Sequence, residues 1–228
     1  VEIARMAAAI DLLSNGRFVL GMGAGWNEPE HRAYGIHFPD RGERSAKLVE
    51  AVALVRSLWA PGPANFKGKY YELNNANLLP KPPEGRPWLL VGGSGPQRTL
   101  KVAAQFADEW NCVNTPAATY MDLKAVLDAH CSLFNRDPST IKRSMMTFGI
   151  VGPNDKAVLH AAEIASHHVA RGQYDAKGLL AAAAERGIIH GTTDQVVHQL
   201  GTLAELGVQE VQFQHMDFDN DEVPEYLA

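Results

Sequence analysis

The feature that most constrains the fold is a repeated alternation of short apolar runs with segments of helical periodicity. Polar residues do not interrupt the apolar runs, which is typical of strands buried on both faces of a parallel sheet. Helices that separate such strands cover the two faces. The sequence therefore predicts an α/β fold, with strands over residues 17–24, 87–93, 109–114, 144–151 and 208–215.

The helical segments lie between these strands. The first ends at Asn15-Gly16, a pair that favours the left-handed conformation in which helices stop. Residues 60–86 are rich in Pro, Gly and Asn and indicate a connection. Thr192 with Gln195, and Asn27 with Glu30, have the spacing of helix capping boxes. The other predicted helices are 41–59, 96–106, 119–135, two within 155–186, and one opened by Thr192.

Five strands fit an open doubly wound sheet or part of a (β/α)8 barrel, which needs eight strands and about 250 residues. The chain begins without Met, inside an amphipathic helix. We therefore expect a chain truncated at its N-terminus. No linker or composition break interrupts residues 1–228, which predicts a single domain.

The stretch RFVLGMGAGWNEPEH, residues 17–31, joins the first strand to three alternate glycines. A dinucleotide-binding loop needs G-x-G-x-x-G, and Trp26 stands where its third glycine would pack. This spacing excludes that motif. The glycines either let a flat ligand approach the backbone or merely relieve crowding at the strand end.

A second glycine cluster, Gly92 to Gly95 in PWLLVGGSGPQRTL, follows the second strand. With Pro96 in the first turn of the next helix, free N–H groups there predict an anion or phosphate site. Arg98 is either a further contact to the anion or a solvated side chain.

Charge and composition narrow the class of partner. The net charge is −5, the pI is about 6.0, and the 21 basic residues are scattered. Nucleic acid and membrane partners are therefore not expected, and small molecules are. Two cysteines are too few for a disulfide framework, and no apolar run has membrane-spanning length, so we expect a cytoplasmic protein.

Three segments together resemble the luciferase-like monooxygenase superfamily, particularly its deazaflavin (coenzyme F420)-dependent oxidoreductases. They are DLLSNGRFVLGMGAGWNEPEHRAYGIHFPDRGERSAKLVEAVALVRSLW, PWLLVGGSGPQRTLKVAAQFADEWN and GTTDQVVHQLGTLAELGVQEVQ. The resemblance implies a TIM barrel, here a partial barrel of about five β/α units. It also implies an enzyme that binds F420, or alternatively FMN, and is a homodimer in its full-length form. Hydride transfer to or from a small organic substrate is expected, with FMN-dependent monooxygenation as the alternative.

The resemblance also assigns residues by position. Ala24 occupies the place of the proton-accepting carboxylate in sugar-phosphate dehydrogenases of the superfamily, which argues against that activity because alanine cannot take a proton. Val113 and Pro116 likewise replace the phosphate-holding Thr and Lys. The matching cofactor contacts are Met22, Gly23, Asn27, Gly92 and Gly93, with Ser94 and Gly95 beside them.

The remaining candidates come from their places near strand ends. Trp26 and Trp110 are candidate substrate contacts, although Trp110 also fits a core position. Asn111 and His215, the latter close to Asp217, are candidate catalytic groups. Glu28, Glu30 and His31 could bind a metal. A capping box of Asn27 with Glu30 and the usual exposure of a single His on a polar helix turn are the simpler interpretation, and no metal is expected. A non-catalytic flavin-binding relative or an inert fragment is the remaining alternative.

Overall fold

The computed structural model describes residues 1–83, 87–168 and 173–216. The chain forms two compact units. Unit 1 comprises Val1–Asn111 and Ala125–Lys142, and unit 2 comprises Cys112–Lys124 and Arg143–Ala228. The expectation of a single domain stays a prediction.

The elements up to residue 133 belong mainly to unit 1. They are α1 (Glu2–Leu13), β1 (Val19–Met22), α2 (Glu28–Ala33), α3 (Arg41–Trp59), β2 (Ala64–Lys67), β3 (Glu72–Ala76), β4 (Trp88–Gly92), α4 (Thr99–Phe106), β5 (Glu109–Val113) and α5 (Ala117–Leu133). The end of β5 and the first half of α5, residues 112–113 and 117–124, are counted in unit 2. β1 pairs in parallel with β4, with Val19 opposite Trp88, and β4 pairs in parallel with β5, with Leu90 opposite Glu109. α4 packs on β4 and on α3, which also contacts α1.

Local sequence signals account for several boundaries. Asn15 and Gly16 adopt φ of 53° and 79°, which confirms the predicted left-handed stop after α1. α3 has the predicted bounds, and the Asp40 carboxylate accepts from the Glu43 amide at 2.9 Å as its N-cap. The capping hydrogen bond from the Glu30 amide to Asn27, 3.4 Å long, confirms the predicted start of α2.

One element of unit 1 was not predicted, and one predicted boundary is wrong. The connection at 60–86 contains an antiparallel hairpin, β2 with β3, which the sequence analysis did not predict. Helix α4 begins at Thr99, because Pro96, Gln97 and Arg98 form a turn before it. Pro96 therefore does not lie in the first turn of that helix.

Unit 2 is organised around β6 (Lys142–Gly152), whose first residue belongs to unit 1. β6 pairs in parallel with β8 (Glu210–Gln214) along Ser144–Phe148 and with β7 (Ile189–Thr192) along Gly149–Gly152. The short strand β7 was not predicted, whereas the capping box of Thr192 and Gln195 is confirmed. The elements are β6 (Lys142–Gly152), α6 (Asp155–His168), α7 (Ala176–Ala183), β7 (Ile189–Thr192), α8 (Thr193–Glu205) and β8 (Glu210–Gln214).

Across the described ranges, none of the helices combines the length and apolar character that a bilayer crossing requires. Both cysteines, Cys112 and Cys131, are buried and unbridged.

Candidate functional site

A pocket of about 230 Å³ opens at the carboxyl end of β1 in unit 1. The end of β1, α2, α3 and the β2–β3 hairpin all contribute to its walls. The carboxyl ends of parallel strands are where α/β proteins bind ligands. The lining residues are Met22, Gly23, Ala24, His31, Ile36, His37, Pro39, Arg44, Lys47, Leu48, Ala51 and Tyr71.

The glycines at this edge of the sheet are not required by packing within the protein. A Cβ at Gly21 would lie 4.0 Å from its nearest neighbour, Leu90. At Gly23 it would lie 3.6 Å from the carbonyl oxygen of Gly92, and at Gly92 3.9 Å from that of Met22. All three distances are ordinary van der Waals contacts, so crowding does not explain these glycines. They leave open space above the backbone that a Cβ would fill.

Gly93 has a different role, because its φ of 126° is a conformation that L side chains rarely adopt. Its N–H donates to the Asn111 carbonyl at 2.9 Å, and its carbonyl accepts from the Trp110 indole N–H at 2.9 Å. Trp110 is fully buried, and its hydrogen bond to the Gly93 carbonyl stabilises this turn. The Gly93 amide is therefore engaged within the protein.

The rest of the second glycine cluster lies beside this turn. Ser94 is exposed, and a Cβ at Gly95 would come within 2.9 Å of the Thr99 hydroxyl. Arg98 donates to the Gly42 carbonyl at 2.9 Å, which links the turn before α4 to the first turn of α3. Its predicted contact with a bound anion stays a prediction.

Two cations of α3 give the pocket a positive wall. The Nε of Arg44 is buried and has no hydrogen-bond partner in the part of the chain that the structure describes. The guanidinium lies 3.8 Å from the centroid of the Phe38 ring. Lys47 contacts the Glu43 carboxylate at 2.7 Å, and this hydrogen bond raises the pKa of Lys47. A buried guanidinium N–H without a partner favours an anionic ligand.

The β2–β3 hairpin is held against α3 by Glu50. The carboxylate accepts from the amides of Lys69 and Tyr70, both at 2.8 Å, and of Tyr71 at 3.2 Å. The same turn directs Tyr71 into the lining of the pocket. Glu50 therefore fixes one wall of the site without lining it.

Two contacts define the orientation of the His31 imidazole in the pocket. Its Nδ1 lies 2.8 Å from the Asn27 carbonyl oxygen, and its ring meets that of Phe38 edge-on at a centroid distance of 4.8 Å. Asn27 thus supports α2 twice, through its side chain at Glu30 and through its carbonyl at His31. The predicted contact of Asn27 with a cofactor stays a prediction.

The other predicted residues are distributed more widely. Trp26 has 77% of its surface exposed and does not line the pocket. Asn111 is buried in β5. His215 lies in unit 2, directly after β8, and Asp217 lies outside the described residues. The roles suggested for these residues stay predictions. Among the described residues no group of three or more His, Cys, Asp or Glu could hold a metal ion.

Sequence reasoning missed the pocket roles of Arg44, Lys47 and Tyr71. No local signal marked the two cations, because they occupy polar positions of a long helix whose first turn already carries the Asp40 and Glu43 carboxylates. Asp40 interacts electrostatically with Arg44, and Glu43 pairs with Lys47.

The arrangement fits a flat cofactor that carries a phosphate group. The bare backbone at Gly21, Gly23 and Gly92 leaves room for a planar ring. The unpartnered Nε of Arg44 suits a phosphate oxygen. The residues present are thus compatible with a flavin or a deazaflavin.

The sequence is similar to a known protein family and to individual curated proteins. Residues 1–210 match the sequence pattern of the family described as luciferase-like monooxygenase. The chain is 33% identical over 133 residues to pyrimidine monooxygenase RutA of Pseudomonas syringae pv. syringae, covering 56% of this chain and 36% of that protein. It is 38% identical over 112 residues to the F420-dependent glucose-6-phosphate dehydrogenase of Amycolatopsis mediterranei, covering 49% and 33%. The chain thus spans about a third of the length of these curated relatives.

Structural similarity extends over nearly the whole chain. An F420-dependent secondary alcohol dehydrogenase in complex with an F420-acetone adduct aligns with a TM-score of 0.75 and 22% identity, over 93% of this chain and 68% of that one. The F420-dependent tetrahydromethanopterin reductase of Methanopyrus kandleri aligns with a TM-score of 0.75 and 19% identity, over 92% and 71%. These similarities confirm the predicted luciferase-like α/β fold in its partial form.

Proposed function

The chain belongs to the luciferase-like monooxygenase family, and from this premise we propose that it acts in hydride transfer between coenzyme F420 and a small organic substrate. Its coarser class is that of the flavin- or deazaflavin-dependent oxidoreductases and monooxygenases. The reaction of the whole protein, its cofactor and its substrate are parts of the proposal.

The pocket at the end of β1 carries this proposal. It combines bare backbone at Gly23 with the buried, unpartnered Nε of Arg44. The bare backbone of the glycines would hold the flat ring of a redox cofactor, and the Arg44 guanidinium would hold its phosphate. The bound cofactor supplies the hydride chemistry, and the protein supplies binding, orientation and exclusion of water.

Different residues would contribute to cofactor binding in different ways. Arg44 and Lys47 would hold the negative charge of the phosphate. Trp110 would keep the Gly93 turn in shape through its hydrogen bond to the Gly93 carbonyl. Tyr71, which Glu50 holds in place, would close one side of the pocket.

FMN-dependent monooxygenation is the second candidate. The observation that favours it is the 33% identity to a pyrimidine monooxygenase over 133 residues. Both cofactors carry a phosphate, so the positive wall of the pocket suits either.

Ligand titration tests the proposal. Binding of F420, FMN and riboflavin to the purified protein would be followed by fluorescence. We expect F420 to bind more tightly than FMN, and riboflavin, which lacks the phosphate, to bind more weakly than FMN. Tighter binding of FMN together with oxygen-dependent turnover would instead support the monooxygenase, and binding of neither cofactor would overturn the redox assignment.

The substitution Arg44→Gln tests the phosphate contact. Hydrogen bonds to charged groups contribute about 1.5–3 kcal/mol, so the Kd for phosphate-bearing cofactors should rise about 10- to 150-fold. The Kd for riboflavin should change little. Arg41→Gln is the matched control, since Arg41 is an exposed arginine of the same helix turn and does not line the pocket. Equal losses for FMN and riboflavin in Arg44→Gln would contradict a phosphate contact.

A further inference from the structure

The loop that joins α2 to α3 holds the guanidinium of Arg44. The Cζ atom lies 3.8 Å from the centroid of the Phe38 ring, which is a close cation–π contact. Nη1 donates to the carbonyl oxygen of Pro39, the next residue of the loop. Within the described ranges, the buried Nε has no hydrogen-bond partner. The guanidinium is therefore engaged by Phe38 and Pro39, and Nε is left for a ligand.

The backbone of the loop determines where the Phe38 ring lies. Phe38 precedes a proline, which restricts its backbone to extended conformations. Asp40 then caps α3, and its carboxylate accepts from the Glu43 amide at 2.9 Å. Arg44 follows in the next turn of the same helix. The contact between ring and guanidinium is thus set within residues 38–44.

A second contact holds the ring from the side of α2. The His31 imidazole meets the Phe38 ring edge-on, with the centroids 4.8 Å apart and the planes at 60°. Nδ1 of His31 lies 2.8 Å from the Asn27 carbonyl oxygen at the start of α2. Phe38 itself is not among the described residues that line the pocket. The ring can therefore orient Arg44 without contacting a ligand there.

An arginine that is already oriented binds a phosphate more tightly than one that is free. A free arginine side chain has many rotamers, and a ligand that binds it must restrict them. Where the protein has already restricted them, this loss of entropy no longer opposes binding. A cation–π contact corresponds to a factor of about 2 at exposed sites and about 30 when it is desolvated. Arg44 is half-buried, so we expect an intermediate factor.

We infer that Phe38 determines the selectivity of this pocket for phosphate-bearing cofactors, as a positioning residue that acts through Arg44. This inference rests on the proposed function, in which the Arg44 guanidinium binds the phosphate. The Phe38 ring and the Pro39 carbonyl hold the guanidinium so that Nε is presented to the pocket. Without the ring the phosphate contact weakens, whereas the contacts to the flat part of the cofactor remain.

Phe38→Leu and Phe38→Tyr test this role by fluorescence titration. Leucine removes the aromatic face and keeps an apolar side chain, whereas tyrosine keeps the face. Phe38→Leu should raise the Kd of FMN and F420 about 3- to 20-fold and change that of riboflavin less than about twofold. Phe38→Tyr should bind all three like wild type. Tyr174→Leu is the matched control, because it removes the contact of Arg186 with an aromatic ring in unit 2, where Cζ lies 5.5 Å from the centroid, and it should leave the ratio of the FMN and riboflavin Kd values unchanged.

A double-mutant cycle with Arg44→Gln distinguishes positioning from general packing. If Phe38 acts through Arg44, Phe38→Leu should not raise the Kd of FMN further in Arg44→Gln protein. An equal increase with and without the arginine would overturn the inference. Equal losses of affinity for FMN and riboflavin in Phe38→Leu would overturn it as well.

Urea unfolding establishes that Phe38→Leu is folded, and Phe38→Met gives the same comparison if it is not. Failure of the inference is distinguishable from failure of the proposed function. If wild type binds FMN and F420 more tightly than riboflavin and Phe38→Leu keeps these ratios, the proposed function stands and the inference is overturned. Wild-type protein that binds neither cofactor would overturn both.

Discussion

Gly23→Ala separates the two explanations of the glycines at the end of β1. The new Cβ would meet only the Gly92 carbonyl oxygen, at an ordinary distance of 3.6 Å, and Gly23 is not among the glycines with positive φ. Alanine also lowers the entropy of the unfolded chain, by about 0.4–1 kcal/mol for a compatible position. We therefore expect the free energy of unfolding to change by less than about 1 kcal/mol.

Binding should change much more. A methyl group at Gly23 would project into the open space of the pocket, where a ring stacked on the backbone would approach it closely. Overpacking of this kind costs about 1–3 kcal/mol, which corresponds to a Kd about 5- to 150-fold higher. Fluorescence titration with F420 and FMN measures this change, and urea unfolding measures stability on the same preparation.

Gly201→Ala is the control, because that glycine lies in α8 and a Cβ there meets nothing within 4 Å. It should leave cofactor affinity unchanged and stabilise the helix by about 0.5–1 kcal/mol. A loss of more than about 2 kcal/mol of stability in Gly23→Ala would show that the glycine is structural. Unchanged cofactor affinity would refute the argument that its open space receives a ligand.

Two further substitutions test the supports of the pocket. Burial raises the pKa of Glu50, but hydrogen bonds from the amides of residues 69–71 lower it, and the net pKa lies below its ordinary 4.5. The ionised Glu50 carboxylate therefore stabilises the fold above pH 4.5, and this stabilisation is lost as the pH falls through the lower pKa of the folded state. In urea at pH 7, Glu50→Gln should have a free energy of unfolding about 1–2 kcal/mol below that of wild type. At strongly acid pH the two proteins should be equally stable. Glu43→Gln is the control and should lower the free energy of unfolding by only about 0.3–0.5 kcal/mol. If the loss of stability in Glu50→Gln did not depend on pH, the ionised carboxylate would not be the group that holds the hairpin. Trp110→Phe removes the indole N–H that donates to the Gly93 carbonyl and should lower the free energy of unfolding by about 1–3 kcal/mol. A change near zero would show that the Gly93 turn does not depend on this hydrogen bond.

The sequence predicted those elements whose signals are local. The left-handed stop at Asn15-Gly16, the bounds of α3 and the capping box at Thr192 follow from short-range patterns. The β2–β3 hairpin was not predicted, because its strands are short and polar and its turn is held by the Glu50 carboxylate from α3. Contacts between residues 19 to 21 positions apart leave no periodic trace in the sequence.

The same difference between local sequence signals and long-range contacts applies to the site. Gly23 and the 92–95 cluster were identified from sequence, because glycines at strand ends are conspicuous. Arg44 and Lys47 were missed because on α3 they look like ordinary polar residues of an amphipathic helix. Only the fold brings them to the end of β1, where the Nε of Arg44 is buried without a partner among the described residues.

Trp110 shows that a residue can belong to the core and still support the binding site. Its side chain is fully buried, which the sequence could not distinguish from a role at the strand end. Its indole N–H nevertheless bonds the carbonyl of Gly93, whose positive φ shapes the turn beside the pocket. A buried residue can thus determine the geometry of a binding turn through one hydrogen bond without touching the ligand. On this account Trp110→Phe should weaken cofactor binding together with stability, whereas direct contact with substrate would alter KM and leave cofactor affinity unchanged.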